Sequence, residues 1–334
     1  MKKSKFESKK FLKRITSFKN NSVLSKSQFE TAKEIILNFD NLLHNYPDIE
    51  NYNTIFLRFL EELEKNAILP YSFAPFHTQN KWFFQFGLDF LKPFVDLQHS
   101  TCFGLENIER INQQLKRGEN IILFSNHQTE ADPQMLFMIF EKLNKAQFCQ
   151  QIIFVAGERV ITDPFAIPFS LGCNLICIFS KKHIDNPPKR RKSKLAHNQK
   201  VMQEVSSLLK EGGQLIWLAP SGGRDRPDAD GNYQVAPFDE NAIEMFYLLS
   251  KKSQCKTHFY PLSILTYPIL PPPKELGKEL GEKRPFFKSS IHFYFGNEVP
   301  MDTFQDKDKK LLRKKRKDFI FKEVIQNYNQ LRGA

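Results

Sequence analysis

The feature that most constrains this chain is the run Ile121-Ile122-Leu123-Phe124, which leads straight into Ser125-Asn126-His127-Gln128-Thr129-Glu130-Ala131-Asp132-Pro133. Four consecutive apolar residues describe a strand covered on both faces, so the sheet that holds it needs a helical layer above and below. Asp132 stands where a helix N-cap belongs and Pro133 at the first helical position, and apolar residues recur at helical spacing over 135–143. The unit reads as strand, turn, helix. His127 is expected on the turn at the carboxyl end of a buried strand, where open α/β sheets keep their sites. Five residues apart on such a turn, His127 and Asp132 can meet, the carboxylate taking one imidazole N–H and leaving the other nitrogen as a base. The plainer reading is a surface pair in which Asp132 only caps its helix.

A second polar stretch, Ala219-Pro220-Ser221-Gly222-Gly223-Arg224-Asp225-Arg226-Pro227, again follows an apolar strand, 214–218. Further strands are expected over 151–155, 174–179, 257–265 and 291–295, with helices over 105–116, 194–210 and 241–249. Short apolar strands divided by amphipathic helices predict an α/β fold: a mixed, largely parallel sheet flanked by helices. Ahead of it, residues 1–75 read as a small N-terminal helical subdomain, leaving 76–334 for the α/β domain. Residues 1–24 are Lys-rich and read as a loose arm or irregular helix. Ser27-Gln28-Phe29-Glu30 carries the capping-box pattern for the next helix, and another covers 55–63. Trp82-Phe83-Phe84-Gln85-Phe86 is either packing surface or a membrane-interface anchor.

The formal charge of +12 calls for an acidic partner, a condition met equally by nucleic acid, an anionic membrane and an acidic carrier protein. The basic clusters at 189–194 and 313–317 are read as solvated faces unless one of these partners docks there. No nucleic-acid-binding motif accompanies either cluster. The chain has no stretch of 18 uninterrupted apolar residues and no secretory signal, so a cytoplasmic protein is expected. The five cysteines show no metal spacing; Cys173 and Cys177 are expected as small core residues.

The two polar stretches, with Val155-Ala156-Gly157-Glu158-Arg159-Val160-Ile161-Thr162-Asp163-Pro164, Ser180-Lys181-Lys182-His183 and Phe259-Tyr260-Pro261-Leu262, stand in an order that resembles a known family. It is that of the soluble glycerol-3-phosphate 1-O-acyltransferases of plastids and chlamydia-like bacteria, within the glycerolipid acyltransferases with their His-x-x-x-x-Asp box. The likeness runs over roughly residues 75 to 300. It implies acyl transfer from a thioester, acyl carrier protein more readily than coenzyme A, to the sn-1 hydroxyl of glycerol-3-phosphate. It implies peripheral contact with an anionic membrane at most, no nucleic acid, and a plastid stroma if the source is a plant or alga.

His127 suits the general base and Asp132 the acid that orients it. No enzymic nucleophile is needed, and Ser221 lacks the Gly-x-Ser-x-Gly setting of a hydrolase. Arg224 and Arg226, two apart in an extended segment, share a side and can face one phosphate; the alternative is a local salt-bridge turn. By resemblance, Lys182, His183, Arg224 and Arg226 form the phosphate site, and Arg159 stands where the family keeps a basic residue for the acceptor. Glu158 or Asp163 is expected to pair with Arg159, and Glu130 to orient a neighbouring group or face solvent. No metal or cofactor is expected beyond the cosubstrate. The rival readings are an acyltransferase acting on lysophosphatidate and a basic nucleic-acid-binding protein.

Overall fold

The computed structural model of the protein describes residues 5–69, 73–181, 184–273 and 282–333. Three helices come first, α1 (Ser8–Asn20), α2 (Lys26–Leu42) and α3 (Ile49–Ile68). They are followed by β1 (Phe76–His77), α4 (Lys81–Leu91), β2 (Thr101–Phe103) and α5 (Leu105–Lys116). The centre of the chain alternates: β3 (Asn120–Ser125), α6 (Asp132–Lys142), α7 (Ala146–Gln150), β4 (Ile152–Ala156), α8 (Ile167–Ser170), β5 (Asn174–Cys177), α9 (Arg191–Glu211) and β6 (Leu215–Leu218). Then come the short β7 (Arg226–Pro227) and β8 (Tyr233–Gln234), α10 (Glu240–Ser253), β9 (Thr257–Leu265), β10 (His292–Phe295) and α11 (Lys309–Leu331).

Among the described residues, eight strands form one sheet in the order β1-β5-β4-β6-β3-β9-β10-β2. The block β5-β4-β6-β3-β9 is parallel throughout; β1 and β10 join antiparallel to β5 and β9, and β2 runs parallel to β10. This is the mixed, largely parallel sheet expected from the pattern. Alternation along the strands sorts side chains to two cores. Ile121 and Leu123 of β3, Leu215 and Trp217 of β6 and Tyr260 of β9 face one core, shared with α1–α4 and α6. Ile122, Phe124, Ile216, Leu218 and Phe259 face the other, under α9, α10 and α11. All six residues of β3 are buried, as a strand covered on both faces must be.

The N-terminal region departs from two expectations. Residues 8–20 form a regular helix rather than a loose arm, because Phe11, Ile15 and Phe18 recur on one face and bury against the same core. The capping box of α2 lies two residues earlier than read: Ser25 accepts from the Gln28 amide, and the Gln28 side chain accepts from the Ser25 amide. Aromatic rings join these helices to the rest. Phe39 packs against Phe56, Phe90, Phe94 and Phe286, and the Tyr52 hydroxyl donates to the Phe90 carbonyl at 2.9 Å. Phe83 and Phe86 of α4 are buried while Trp82 is exposed, so the aromatic run chiefly packs. Cys173 and Cys177 are buried.

The basic clusters are not simply solvated. Lys194 is buried, donating to the Asn186 carbonyl at 2.6 Å. Arg316 is buried too, pairing with Glu244 at 2.9 Å over the Tyr247 ring. Their neighbours Lys189, Arg191, Lys192 and Lys314 are exposed.

Candidate active site

Strands of a parallel block end on one side, so the loops after β3, β4, β6 and β9 converge there. The loop after β3 carries His127. Its Nδ1 lies 2.7 Å from Asp132 Oδ2, an acceptor, so this nitrogen bears the proton. His127 Nε2 has no hydrogen-bond partner among the described residues, and the side chain is 24% exposed, enough for a reactant to reach it. The ring meets Trp217 edge-on, with centroids 5.6 Å apart.

Asp132 is the first residue of α6 rather than its cap, which is Ala131. The carboxylate does not cap α6 because it turns back to the loop before it. Oδ2 accepts from the Gln128 amide at 2.8 Å as well as from His127; Oδ1 accepts from the Thr129 amide and hydroxyl at 3.0 Å. The Thr266 hydroxyl, just beyond β9, donates to Oδ1 at 2.6 Å. A buried carboxylate held by this many donors cannot swing away from the imidazole.

The flanking residues point the other way. Asn126 Nδ2 and Gln128 Nε2 donate to Asp225 Oδ2 at 2.8 and 3.2 Å, and the Asp225 amide donates to the His127 carbonyl at 2.6 Å. The Ala236 amide holds Oδ1 at 2.8 Å. Burial pushes the Asp225 carboxyl up to about 6, although these donors oppose it. Gln128 is also held by the Tyr328 hydroxyl of α11 at 3.1 Å. Ser221 takes no such part: its hydroxyl donates to the Gly223 carbonyl at 2.7 Å, closing a turn in which Gly222 adopts φ +63°.

With Asp225 turned inward, Arg224 and Arg226 emerge together, and both reach Glu282. Arg224 Nη2 bonds one carboxylate oxygen, and Arg226 Nη2 lies 3.8 Å from the other. Arg226 also donates to the Pro273 carbonyl. Burial first, then Arg224 and Arg159, lower the Arg226 guanidinium from its ordinary value against the opposing pull of Glu282. Arg159, half-buried in the turn after β4, therefore belongs to the same electrostatic cluster. Lys182 and His183 lie outside the described residues.

Glu130, three residues past His127, joins the two halves. Arg284 grips both of its oxygens, Nε at 2.9 Å and Nη2 at 3.1 Å, and Arg224 Nη1 stands 3.9 Å away. Burial alone would raise the Glu130 carboxyl, but Arg284 and Arg224 hold it down to about 2. Asp163, expected near Arg159, accepts from Arg284 at 2.8 Å; Glu158 pairs with Arg190 at 3.5 Å and Lys194 at 3.9 Å. The sequence does not single out Thr266, Glu282 or Arg284: Thr266 is one hydroxyl directly after the strand 257–265, and Glu282 and Arg284 lie in an unpatterned charged stretch far along the chain.

The open α/β sheet carries a locked His–Asp pair beside an arginine cluster, and residues 101–265 match the Acyltransferase family. The chain is 36% identical over 277 residues to a chloroplastic glycerol-3-phosphate acyltransferase of Spinacia oleracea, covering 79% of this chain and 57% of that one. For a counterpart in Arabidopsis thaliana the identity is 39% over 241 residues, covering 71% and 51%. One from Cucurbita moschata is 33% identical over 314 residues, covering 92% of this chain and 69% of that one. The chain belongs to the family of chloroplastic-type glycerol-3-phosphate acyltransferases. It spans roughly half to two thirds of the length of these relatives. No helix among the described residues is long and apolar enough to cross a membrane.

Proposed function

We propose that the protein transfers a fatty acyl group from a thioester, on acyl carrier protein in preference to coenzyme A, to the sn-1 hydroxyl of glycerol-3-phosphate. The observation that carries this reading is the pairing of an imidazole with one nitrogen locked on Asp132 and the other open, next to a loop bearing two converging guanidiniums. His127 Nε2 takes the proton of the acceptor hydroxyl as its oxygen attacks the thioester carbonyl. Asp132 stabilises the imidazolium that forms. As the tetrahedral intermediate collapses, the C–S bond breaks and the imidazolium returns the proton to the departing thiolate. The product is 1-acyl-glycerol-3-phosphate, and the chemistry requires no resident cofactor.

Arg224 and Arg226 bind the phosphate, with Arg159, Lys182 and His183 as further cationic donors. A phosphate would take over the place between the two guanidiniums where the Glu282 carboxylate stands. The work takes place in the cytoplasm or a plastid stroma, with peripheral contact to an anionic membrane.

The test mixes purified protein with labelled glycerol-3-phosphate and palmitoyl or oleoyl acyl carrier protein, then acyl-coenzyme A. Lysophosphatidate is expected, and its absence with both donor types overturns the reaction. Arg224→Ala and Arg226→Ala are each expected to raise KM for glycerol-3-phosphate about 10- to 100-fold, with a smaller change in kcat. Unchanged KM in both variants removes the phosphate assignment.

A further inference from the structure

Arg284 lies beyond the residues that match the Acyltransferase family, yet it is among the most thoroughly engaged side chains near His127. It is buried, and all three guanidinium nitrogens are used. Nε and Nη2 hold the two oxygens of Glu130, Nη2 also donates to Asp163, and Nη1 donates to the Glu282 carbonyl at 2.8 Å. The guanidinium lies 5.2 Å from the centre of the Phe165 ring. One residue thus ties the His127 loop, the loop after β4 and the segment that carries Glu282.

The fork matters because of what lies on the far side of Glu130. Arg224 Nη1 stands 3.9 Å from Glu130 Oε1, beyond hydrogen-bond length, while its Nη2 engages Glu282. Without Arg284, the half-buried Glu130 carboxylate would be left with Arg224 as its neighbouring cation. A carboxylate largely withdrawn from water is costly to leave unpaired, which draws Arg224 across. The guanidinium would then be spent on Glu130.

We propose that Arg284 is a positioning residue of the acceptor site: by holding both oxygens of Glu130 it keeps that carboxylate off Arg224, leaving Arg224 for the acceptor's phosphate. This rests on the reading that Arg224 binds phosphate. A lysine cannot replace it, because an ammonium is a point charge that does not span two carboxylate oxygens in a fixed plane.

The test is calorimetric binding of glycerol-3-phosphate to the whole protein without a thioester donor, so that turnover plays no part. Far-UV circular dichroism checks the fold of each variant. Arg284→Met is expected to weaken binding about tenfold or more, and Arg284→Lys, which keeps a charge beside Asp163, about threefold. Adding Glu130→Gln to either variant removes the competing carboxylate and is expected to restore most of the affinity. A purely structural arginine would show no such restoration. Wild-type affinity in the Lys and Met variants, or a loss that Glu130→Gln leaves in place, overturns the inference. If instead Arg224→Ala binds glycerol-3-phosphate as wild type does, the phosphate reading itself fails and this inference with it.

Discussion

Two histidines sit against carboxylates at opposite ends of two neighbouring strands. His127 follows β3 at the carboxyl end of the parallel block; His258 is the second residue of β9, opposite Ile121, at the amino end. His127 spends one nitrogen on Asp132 and keeps the other open. His258 spends both: Nδ1 lies 2.6 Å from Glu298 and Nε2 2.9 Å from Glu119, and its side chain is 6% exposed against 24% for His127. Gln114 and Tyr260 add further donors to Glu298, each at 3.1 Å. A histidine beside a carboxylate is therefore not enough to make a base. An uncommitted nitrogen facing a place a reactant can occupy is the second requirement. The amino-end cluster clamps the start of β9 to β3 and α5; the carboxyl-end pair leaves one nitrogen open, as the proposed base requires.

The contrast breaks first at His258. His258→Ala leaves Glu119 and Glu298 without the imidazole between them, and is expected to cost about 3 kcal/mol in urea unfolding. Activity per folded molecule should not change. A variant that kept its stability but lost turnover would reverse the roles given to the two ends.

A smaller effect sharpens the same point by pH. The Glu119 carboxyl is held at about 2, chiefly by the Arg117 guanidinium and then by His258, against a desolvation that would raise it. Its folded pKa is depressed below the ordinary 4.5, so the stability it contributes is complete above that pH and is lost as pH falls toward 2. Glu119→Gln is expected to lower Tm by about 2 °C at pH 6, since the half-buried carboxylate pairs chiefly with the exposed Arg117. The difference should vanish near pH 2. A gap that widened on acidification would contradict this assignment.

The sheet was readable because its pattern is local. The mostly apolar strand Thr257–Leu265 and the amphipathic stretch Leu105–Lys116 match the observed elements to the residue, as the local pattern there meets no competing demand. The helix Ser8–Asn20 was hidden by its lysines, which mask three buried residues at helical spacing. Asp132 was misplaced as a cap because cap and loop acceptor use the same residue types; the donors from Gln128, Thr129 and Thr266 reveal which role it takes. His127, Arg224 and Arg226 stood out by their position after buried strands. Arg284 and Glu282 did not, since nothing in Glu282-Lys283-Arg284 signals that two of the three turn inward. Partners set by the tertiary fold leave no periodic trace.

The most direct test of the central claim is single-turnover acyl transfer to glycerol-3-phosphate by His127→Ala, with His258→Ala as its control. The His127 variant is expected to lose about 10²- to 10⁴-fold in rate while keeping wild-type Tm and glycerol-3-phosphate affinity. Wild-type turnover in that variant, or a loss that merely follows unfolding, would show that the open imidazole nitrogen at the carboxyl end is not the base.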